Sequence, residues 1–159
     1  MTVPSGEGAG QSFKLDPFQK KFIRAIYEPH RFTRGAWLRV VRRAVLSIAR
    51  KNGKTALIAA LVLAHLVGPE AIENGEIYSA ANDREQAALV FKYCAQIVRA
   101  EPELEALLKV VDSTKSLVCY GNGSLFRALS SESGTKHGLN PSVVIYDELA
   151  QAKNRELYD

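Results

Sequence analysis

The chain has 159 residues, of which 47% are hydrophobic and 24% charged, a balance typical of one globular domain and not of disordered or fibrous proteins. No apolar run approaches the roughly 20 residues that span a bilayer, and two cysteines are too few for a disulfide framework, so we expect a cytoplasmic protein. The net charge of +4 divides into +9 over residues 1–55 and −5 over residues 56–159. The basic half suits nucleotide phosphates or a nucleic-acid backbone, with a solvated basic face as the alternative.

The chain begins with a stretch rich in Gly and Ser, which predicts a disordered tail over residues 1–14. A helix is predicted after Asp16, which suits an N-cap, with Pro17 at the first helical position. Pro29 ends this helix. Residues 15–159 are assigned to a single domain.

Two apolar, β-branched runs follow, AWLRVV at 36–41 and AVLSIA at 44–49, and both predict strands. The second run leads into Gly53-Lys54-Thr55, and the following TALIAALVLAHL predicts a helix buried on nearly all sides. Gly-Lys-Thr closes the phosphate-loop pattern G-x-x-x-x-G-K-[ST], although Ile48 stands where the first glycine belongs. A location between a strand and a helix is the context that this pattern requires.

Strands and helices alternate through the rest of the chain. The predicted elements are a strand at 76–81, a long helix over 83–100 capped by Asn82 or Asp83, a short helix over 102–108, a hairpin over 116–129 with a type I′ turn at Asn122-Gly123, and an apolar strand from residue 142 that ends in two acids. The alternation predicts an α/β fold, a P-loop NTPase-like three-layer αβα arrangement with a mainly parallel sheet. The sheet is expected to be truncated after the strand that ends in the acids.

The Gly-Lys-Thr motif predicts a nucleotide site. Gly53 lets the backbone approach phosphates, Lys54 reaches the β- and γ-phosphates, and the Thr55 hydroxyl binds Mg²⁺. Downstream, Asp147 is placed to hold the Mg²⁺ shell and Glu148 to activate an attacking water, which is the Walker B arrangement. The alternative for these two acids is a polar strand end or a helix cap.

A basic segment, Arg50-Lys51-Asn52, fills the part of the loop before Gly53. Beside the γ-phosphate, the Arg50 guanidinium would supply the transition-state charge that an arginine finger gives. The alternative is that Arg50 faces solvent or DNA.

These motifs resemble the ATPase domain of the large terminase subunit of tailed bacteriophages. That family has a P-loop without the first glycine and with a basic residue inside the loop, and an upstream aromatic-Gln element for adenine. The similar segments are LDPFQKKFI at 15–23, SIARKNGKT at 47–55, IYSAANDREQA at 77–87, SSESGTKHGLNPSVVIYDE at 130–148 and VVIYDELAQ at 143–151. The likeness covers roughly residues 15–155.

The resemblance implies roles for individual residues. Gln19, with Phe18 before it, resembles the adenine contact; the alternative is an exposed helical Gln beside a Phe of the ordinary core. The resemblance makes Arg50 the cis-acting arginine, with Lys51 as the competing candidate. The implied catalytic residues are Glu148 and Arg50, the implied metal ligands are Thr55 and Asp147, and the implied nucleotide contacts are Phe18, Gln19, Arg50, Lys51, Asn52, Gly53, Lys54 and Thr55.

The resemblance also implies the cofactors ATP and Mg²⁺, and partners. These are double-stranded DNA, the small terminase subunit and the portal, with a possible homo-oligomer in the intact motor, in the cytoplasm of the bacterial host. A full large subunit continues into a coupling motif and a nuclease domain, whereas this sequence stops at Asp159. We therefore expect a fragment without the nuclease domain, and its own hydrolysis of ATP stays an open question.

Two other functions fit parts of the sequence. A superfamily 2 helicase fragment shares the aromatic-Gln element, the Gly-Lys-Thr and the Asp-Glu pair, but Ile48 and the DELA sequence count against it. A remnant that binds nucleotide or DNA without hydrolysis, or that serves only as an interaction module, is favoured by the truncation.

Overall fold

The computed structural model describes residues 3–4, 9–49, 51–81, 84–130 and 138–146. The helices are α1 (Pro17–Tyr27), α2 (Lys54–Leu66), α3 (Arg84–Ala100) and α4 (Pro102–Leu107). The strands are β1 (His30–Thr33), β2 (Ala36–Arg39), β3 (Glu76–Ala81), β4 (Leu108–Val111), β5 (Ser116–Cys119), β6 (Leu125–Ser130) and β7 (Val143–Tyr146).

The main sheet has five strands in the order β4-β5-β6-β3-β7. Strand β3 is parallel to both of its neighbours, β6 and β7, whereas β4, β5 and β6 pair as an antiparallel meander. The predicted α/β class is therefore confirmed, with a sheet of mixed direction. The parallel half contains the strand that leads to the predicted Walker B acids.

The core lies where α2 and α3 pack against each other and against this sheet. Helix α2 is apolar around most of its circumference, and Ala59, Val62 and Leu66 are fully buried on it. Phe91 of α3 and Phe126 of β6 are buried in the same cluster. Full burial of a side chain of this size stabilises a fold by about 1.5–3 kcal/mol, so these contacts fix α2, and hence its N-terminus, relative to the sheet.

Most of the predicted elements are present. The helix starting at Pro17, the buried helix after Gly53, the strand at 76–81 and the short helix after Glu101 are all confirmed. The long predicted helix begins at Arg84, and its predicted caps Asn82 and Asp83 lie outside the described residues. None of the described helices combines the length and the apolar character needed to cross a membrane. Disorder of the N-terminal tail stays a prediction.

The predicted strand at 44–49 is wrong, because these residues have no regular secondary structure. Val45 is 83% exposed, so its β-branched side chain contributes little to the core. Strands are stabilised by pairing and by burial against neighbours more than by intrinsic preference. Among the described strands, β7 pairs only with β3, and no described strand pairs with 44–49.

The predicted strand at 36–41 is shorter than expected and lies outside the main sheet. It forms β2, which pairs with β1 in a separate antiparallel hairpin that the sequence patterns did not predict. Arg34 and Gly35 both have positive φ, 50° and 80°, as the favoured two-residue hairpin turn requires. Arg34 is not one of the usual turn residues, which is why the turn was missed.

The predicted hairpin at 116–129 is confirmed as β5–β6, but its type I′ turn is wrong. That turn needs positive φ at both central residues, and of the two only Gly123 has it. Asn122 instead uses its side chain: its Oδ1 accepts from the Ser124 N–H at 2.9 Å, and its Nδ2 donates to the Leu66 carbonyl at 3.0 Å. A contact with the end of α2 therefore shapes this connection.

Candidate phosphate-binding site

The segment before α2 is a compact loop with two backbone positions of positive φ. Lys51 has φ of 66° and Gly53 has φ of 68°. Between them, the Asn52 side chain turns back along the chain, and its Nδ2 donates to the Ala49 carbonyl at 3.1 Å. The loop then leads into Lys54, the first residue of α2.

The N-terminus of α2 supplies donors for an anion. The first helical bond after Gly53 runs from the Leu57 N–H to the Gly53 carbonyl at 2.9 Å, so the N–H groups of residues 54–56 precede the helical ladder. The aligned peptide dipoles give this end of a helix a partial positive charge. Lys54 adds a full positive charge and Thr55 a hydroxyl, so this donor set fits a nucleotide phosphate with its Mg²⁺.

Gln19 of α1 lies against this loop and is only 2% exposed. Its Oε1 accepts from the Asp16 N–H at 3.0 Å, and its Nε2 points to the Asn52 carbonyl at 3.4 Å. Phe18 is 37% exposed. The alternative of an exposed Gln beside a core Phe is therefore wrong, whereas the adenine contact stays a prediction.

Comparisons with known proteins bear on what this site is. The profile of the family described as terminase large subunit, ATPase domain, matches residues 17–159. The chain belongs to this terminase family. Both the phosphate loop and the strand that precedes the Asp-Glu pair fall inside the matched residues.

Two comparisons with the large terminase of bacteriophage HK97 agree with this assignment. The chain is 46% identical over 151 residues to the terminase large subunit of Enterobacteria phage HK97, covering 95% of this chain and 28% of that protein. It also matches the crystal structure of the HK97 bacteriophage large terminase with a TM-score of 0.82 at 43% identity, over 98% of this chain and 30% of that one. The chain thus spans less than a third of the length of these relatives. The superfamily 2 helicase alternative is not favoured.

Three predicted site residues of this terminase domain fall outside the described residues. These are Arg50, Asp147 and Glu148. Strand β7 ends at Tyr146, immediately before the two acids in the sequence, and runs parallel to β3. The roles of Arg50, Asp147 and Glu148 therefore remain predictions from the sequence, as does the choice between Arg50 and Lys51.

A polar cluster at the other end of α1 was not predicted from the sequence. The Tyr27 hydroxyl and Nε2 of His65 share a hydrogen bond of 2.9 Å, the Arg39 guanidinium lies 4.6 Å from the Tyr27 ring centroid, and Arg39 pairs with Glu70. This cluster joins α1, the β1–β2 hairpin and the end of α2. The available signal was His65 inside an otherwise apolar helix.

Proposed function

We propose that the chain is the ATP-binding and ATP-hydrolysing motor domain of a phage terminase large subunit, which drives packaging of double-stranded DNA into procapsids. The observation that carries the proposal is the position of Gly53-Lys54-Thr55 at the N-terminus of a helix buried in the domain core. Membership of the terminase family supplies the class of nucleotide chemistry.

The described residues divide the binding of ATP between them. Lys54 neutralises charge on the β- and γ-phosphates, and the backbone after Gly53 donates to phosphate oxygens. The Thr55 hydroxyl would hold Mg²⁺, and the bound ion would supply positive charge near the transferred phosphoryl group. Lys51 and Asn52 lie on the same loop and complete the phosphate contacts.

Three further residues have proposed roles in the hydrolysis of ATP. Asp147 holds the metal, Glu148 orients the attacking water and accepts its proton, and Arg50 stabilises the charge of the transition state, with Lys51 as the competing candidate. Phe18 and Gln19 are the candidates for the adenine contact that the family resemblance implies. These roles rest on the sequence motifs and on the family resemblance.

The partners of this function lie beyond the chain itself. Double-stranded DNA is the translocated substrate, and the small terminase subunit, the portal and further copies of the motor subunit are the protein partners. The host cytoplasm is the place of assembly. The basic half of the chain, with its balance of +9 over residues 1–55, supports contact with a polyanion.

Calorimetric titration with a non-hydrolysable ATP analogue and Mg²⁺ tests the proposal on the intact chain and on Lys54→Ala. We expect binding by the native chain and a loss of at least tenfold, about 1.4 kcal/mol, in the variant, because a charge-assisted phosphate contact is removed. Lys109→Ala is the matched control, since Lys109 is an exposed lysine of β4 in the acidic half. Equal affinities for Lys54→Ala and Lys109→Ala, or no binding by the native chain, would contradict the proposal.

A further inference from the structure

Gln19 is the buried residue of an amphipathic helix whose other described positions are more exposed. This is unusual, because an amide is costly to bury unless its donors and acceptors are paired. Apolar neighbours such as Phe18 would fill the same position at lower cost, yet Phe18 is the more exposed of the two. The partners of the Gln19 amide therefore indicate what the side chain does.

Both ends of this amide are engaged within the chain. Oε1 accepts from the Asp16 N–H at the start of α1, and Nε2 faces the Asn52 carbonyl, 33 residues away in the sequence, at 3.4 Å. This second bond is long for an N–H···O contact. Nε2 also lies close to Gly53, since a β-carbon built at that residue would come within 3.2 Å of it.

The loop at this point needs external support. Lys51 is a non-glycine residue with φ of 66°, and Lys51, Asn52 and Gly53 are all exposed. A side-chain-bearing residue in the left-handed region is strained and persists where its surroundings fix it. The Asn52 side chain fixes the loop from one side through Ala49, and Gln19 contacts the Asn52 carbonyl from α1.

We propose that Gln19 is a positioning residue that holds the Asn52–Gly53 backbone in its phosphate-binding conformation, whatever the base of the nucleotide. The inference deepens the proposed function and rests on it for the identity of the ligand. Because the Gln19 amide is already paired within the chain, it contributes to the affinity for the phosphate chain more than to the choice of base. ATP, GTP and inorganic tripolyphosphate should depend on it to the same extent.

Gln19→Glu separates the two bonds. A glutamate keeps the acceptor for the Asp16 N–H, and Glu at this third helical position is the usual partner of such an N-terminus, so α1 is retained. The donor to the Asn52 carbonyl is lost, and a carboxylate oxygen faces that carbonyl instead. Lys20→Gln is the matched control, because Lys20 is the next residue of α1 and is exposed.

Two measurements on the full 159-residue chain are combined. Backbone ¹⁵N order parameters of Asn52 and Gly53 are measured without ligand, and affinities are measured for the Mg²⁺ complexes of ATP, GTP and tripolyphosphate. In Gln19→Glu we expect both order parameters to fall from about 0.85 towards 0.6 or below. We also expect a loss of about fivefold, the factor of one hydrogen bond, for all three ligands alike, and no change in Lys20→Gln.

The outcomes separate the two proposals. Unchanged order parameters with a loss confined to ATP would overturn the positioning role and make Gln19 a reader of adenine. If the native chain binds none of the three ligands, the proposed function fails. The order parameters then still decide the positioning role, which a rigid loop in Gln19→Glu overturns and a loosened loop supports.

Discussion

At position 53 the backbone has a φ of 68°, and a β-carbon built there would meet Nε2 of Gln19 at 3.2 Å. Residues other than glycine are strained in this left-handed region, because they carry a β-carbon. Both the backbone conformation and the limited space therefore favour glycine. The same residue closes the Gly-Lys-Thr motif. The glycine expected at 48 is an isoleucine, and the loop instead turns with positive φ at Lys51 as well as at Gly53.

Gly53→Ala should destabilise the domain by about 1–2 kcal/mol, the cost of a β-carbon in the left-handed region. The measurement is the free energy of unfolding in urea at pH 7. Gly121→Ala is the control, because a β-carbon there meets nothing within 4 Å and its φ lies outside the left-handed region. Equal unfolding free energies for the two variants would contradict the strain assigned to Gly53.

At the scale of elements, α1 and the β1–β2 hairpin are joined to the end of α2 by polar contacts. Tyr27 of α1 hydrogen-bonds His65 of α2, while Arg39 of β2 lies over the Tyr27 ring and pairs with Glu70. Burial, and after it the positive charge of Arg39, lowers the pKa of His65, with Glu70 opposing. Burial also raises the pKa of Tyr27. The folded protein therefore favours a neutral imidazole at this junction.

The lowered pKa of His65 predicts that this junction loses stability in acid. Below about pH 6.5, the ordinary value for histidine, the unfolded chain takes up a proton that folded His65 resists. The stabilisation is thus present above pH 6.5 and is lost as the pH falls through the lower folded pKa. We expect the unfolding free energy to fall from pH 8 to pH 5, and to fall less steeply in His65→Gln.

His30→Gln is the control for this pH dependence, since His30 is exposed on β1. We expect the His30→Gln variant to have the same slope of unfolding free energy against pH as the native chain. A slope that is the same in His65→Gln and in the native chain would show that His65 does not carry the effect.

For the molecule as a whole, positive charge is concentrated in residues 1–55 and negative charge in residues 56–159. The β1–β2 hairpin carries part of the positive charge. Arg31 and Arg34 are exposed on β1 and its turn. Beside them, Phe32 and Trp37 form a tilted ring pair 5.4 Å apart and are 58% and 70% exposed. Exposed arginines with aromatic side chains suit a phosphate backbone better than a protein core. The proposed contact with DNA can therefore be tested at this hairpin.

The salt dependence of binding to duplex DNA measures this contact. Each phosphate contact contributes about 0.9 to the slope of log K against log salt, so Arg31→Gln with Arg34→Gln should reduce that slope by about 1.8. Lys92→Gln with Lys109→Gln is the matched pair, because both lysines are exposed in the acidic half. If the slope of log K against log salt is unchanged in the arginine variant, or is reduced equally in the lysine variant, the hairpin does not contact DNA.

The helices could be predicted from the sequence because their signals are local. Each helix is predicted by a pattern that spans only a few residues: Pro17 after Asp16, the apolar run after Thr55, and the amphipathic period after Arg84. The Gly-Lys-Thr motif at the start of α2 follows the same local logic. The location of the candidate phosphate site was therefore predictable, whereas its chemistry stays a prediction.

Pairing and burial could not be predicted in the same way. Residues 44–49 have the composition of a strand, yet whether they pair depends on which strand edge is available far along the chain. Asn122-Gly123 has the composition of a tight turn, but a side-chain bond to Leu66 gives it another shape. In both cases a long-range contact decides between local alternatives of similar energy.

The sequence by itself determined that this chain is an α/β domain of the terminase family with a Gly-Lys-Thr motif before a buried helix. Only the tertiary structure decided that Gln19 is buried against that loop and that the β1–β2 hairpin is held by Arg39, Tyr27 and Glu70. The physical reason is range. Periodicity and capping act within one or two turns of chain, whereas these contacts join residues 12 to 33 positions apart and exist only once the core has formed.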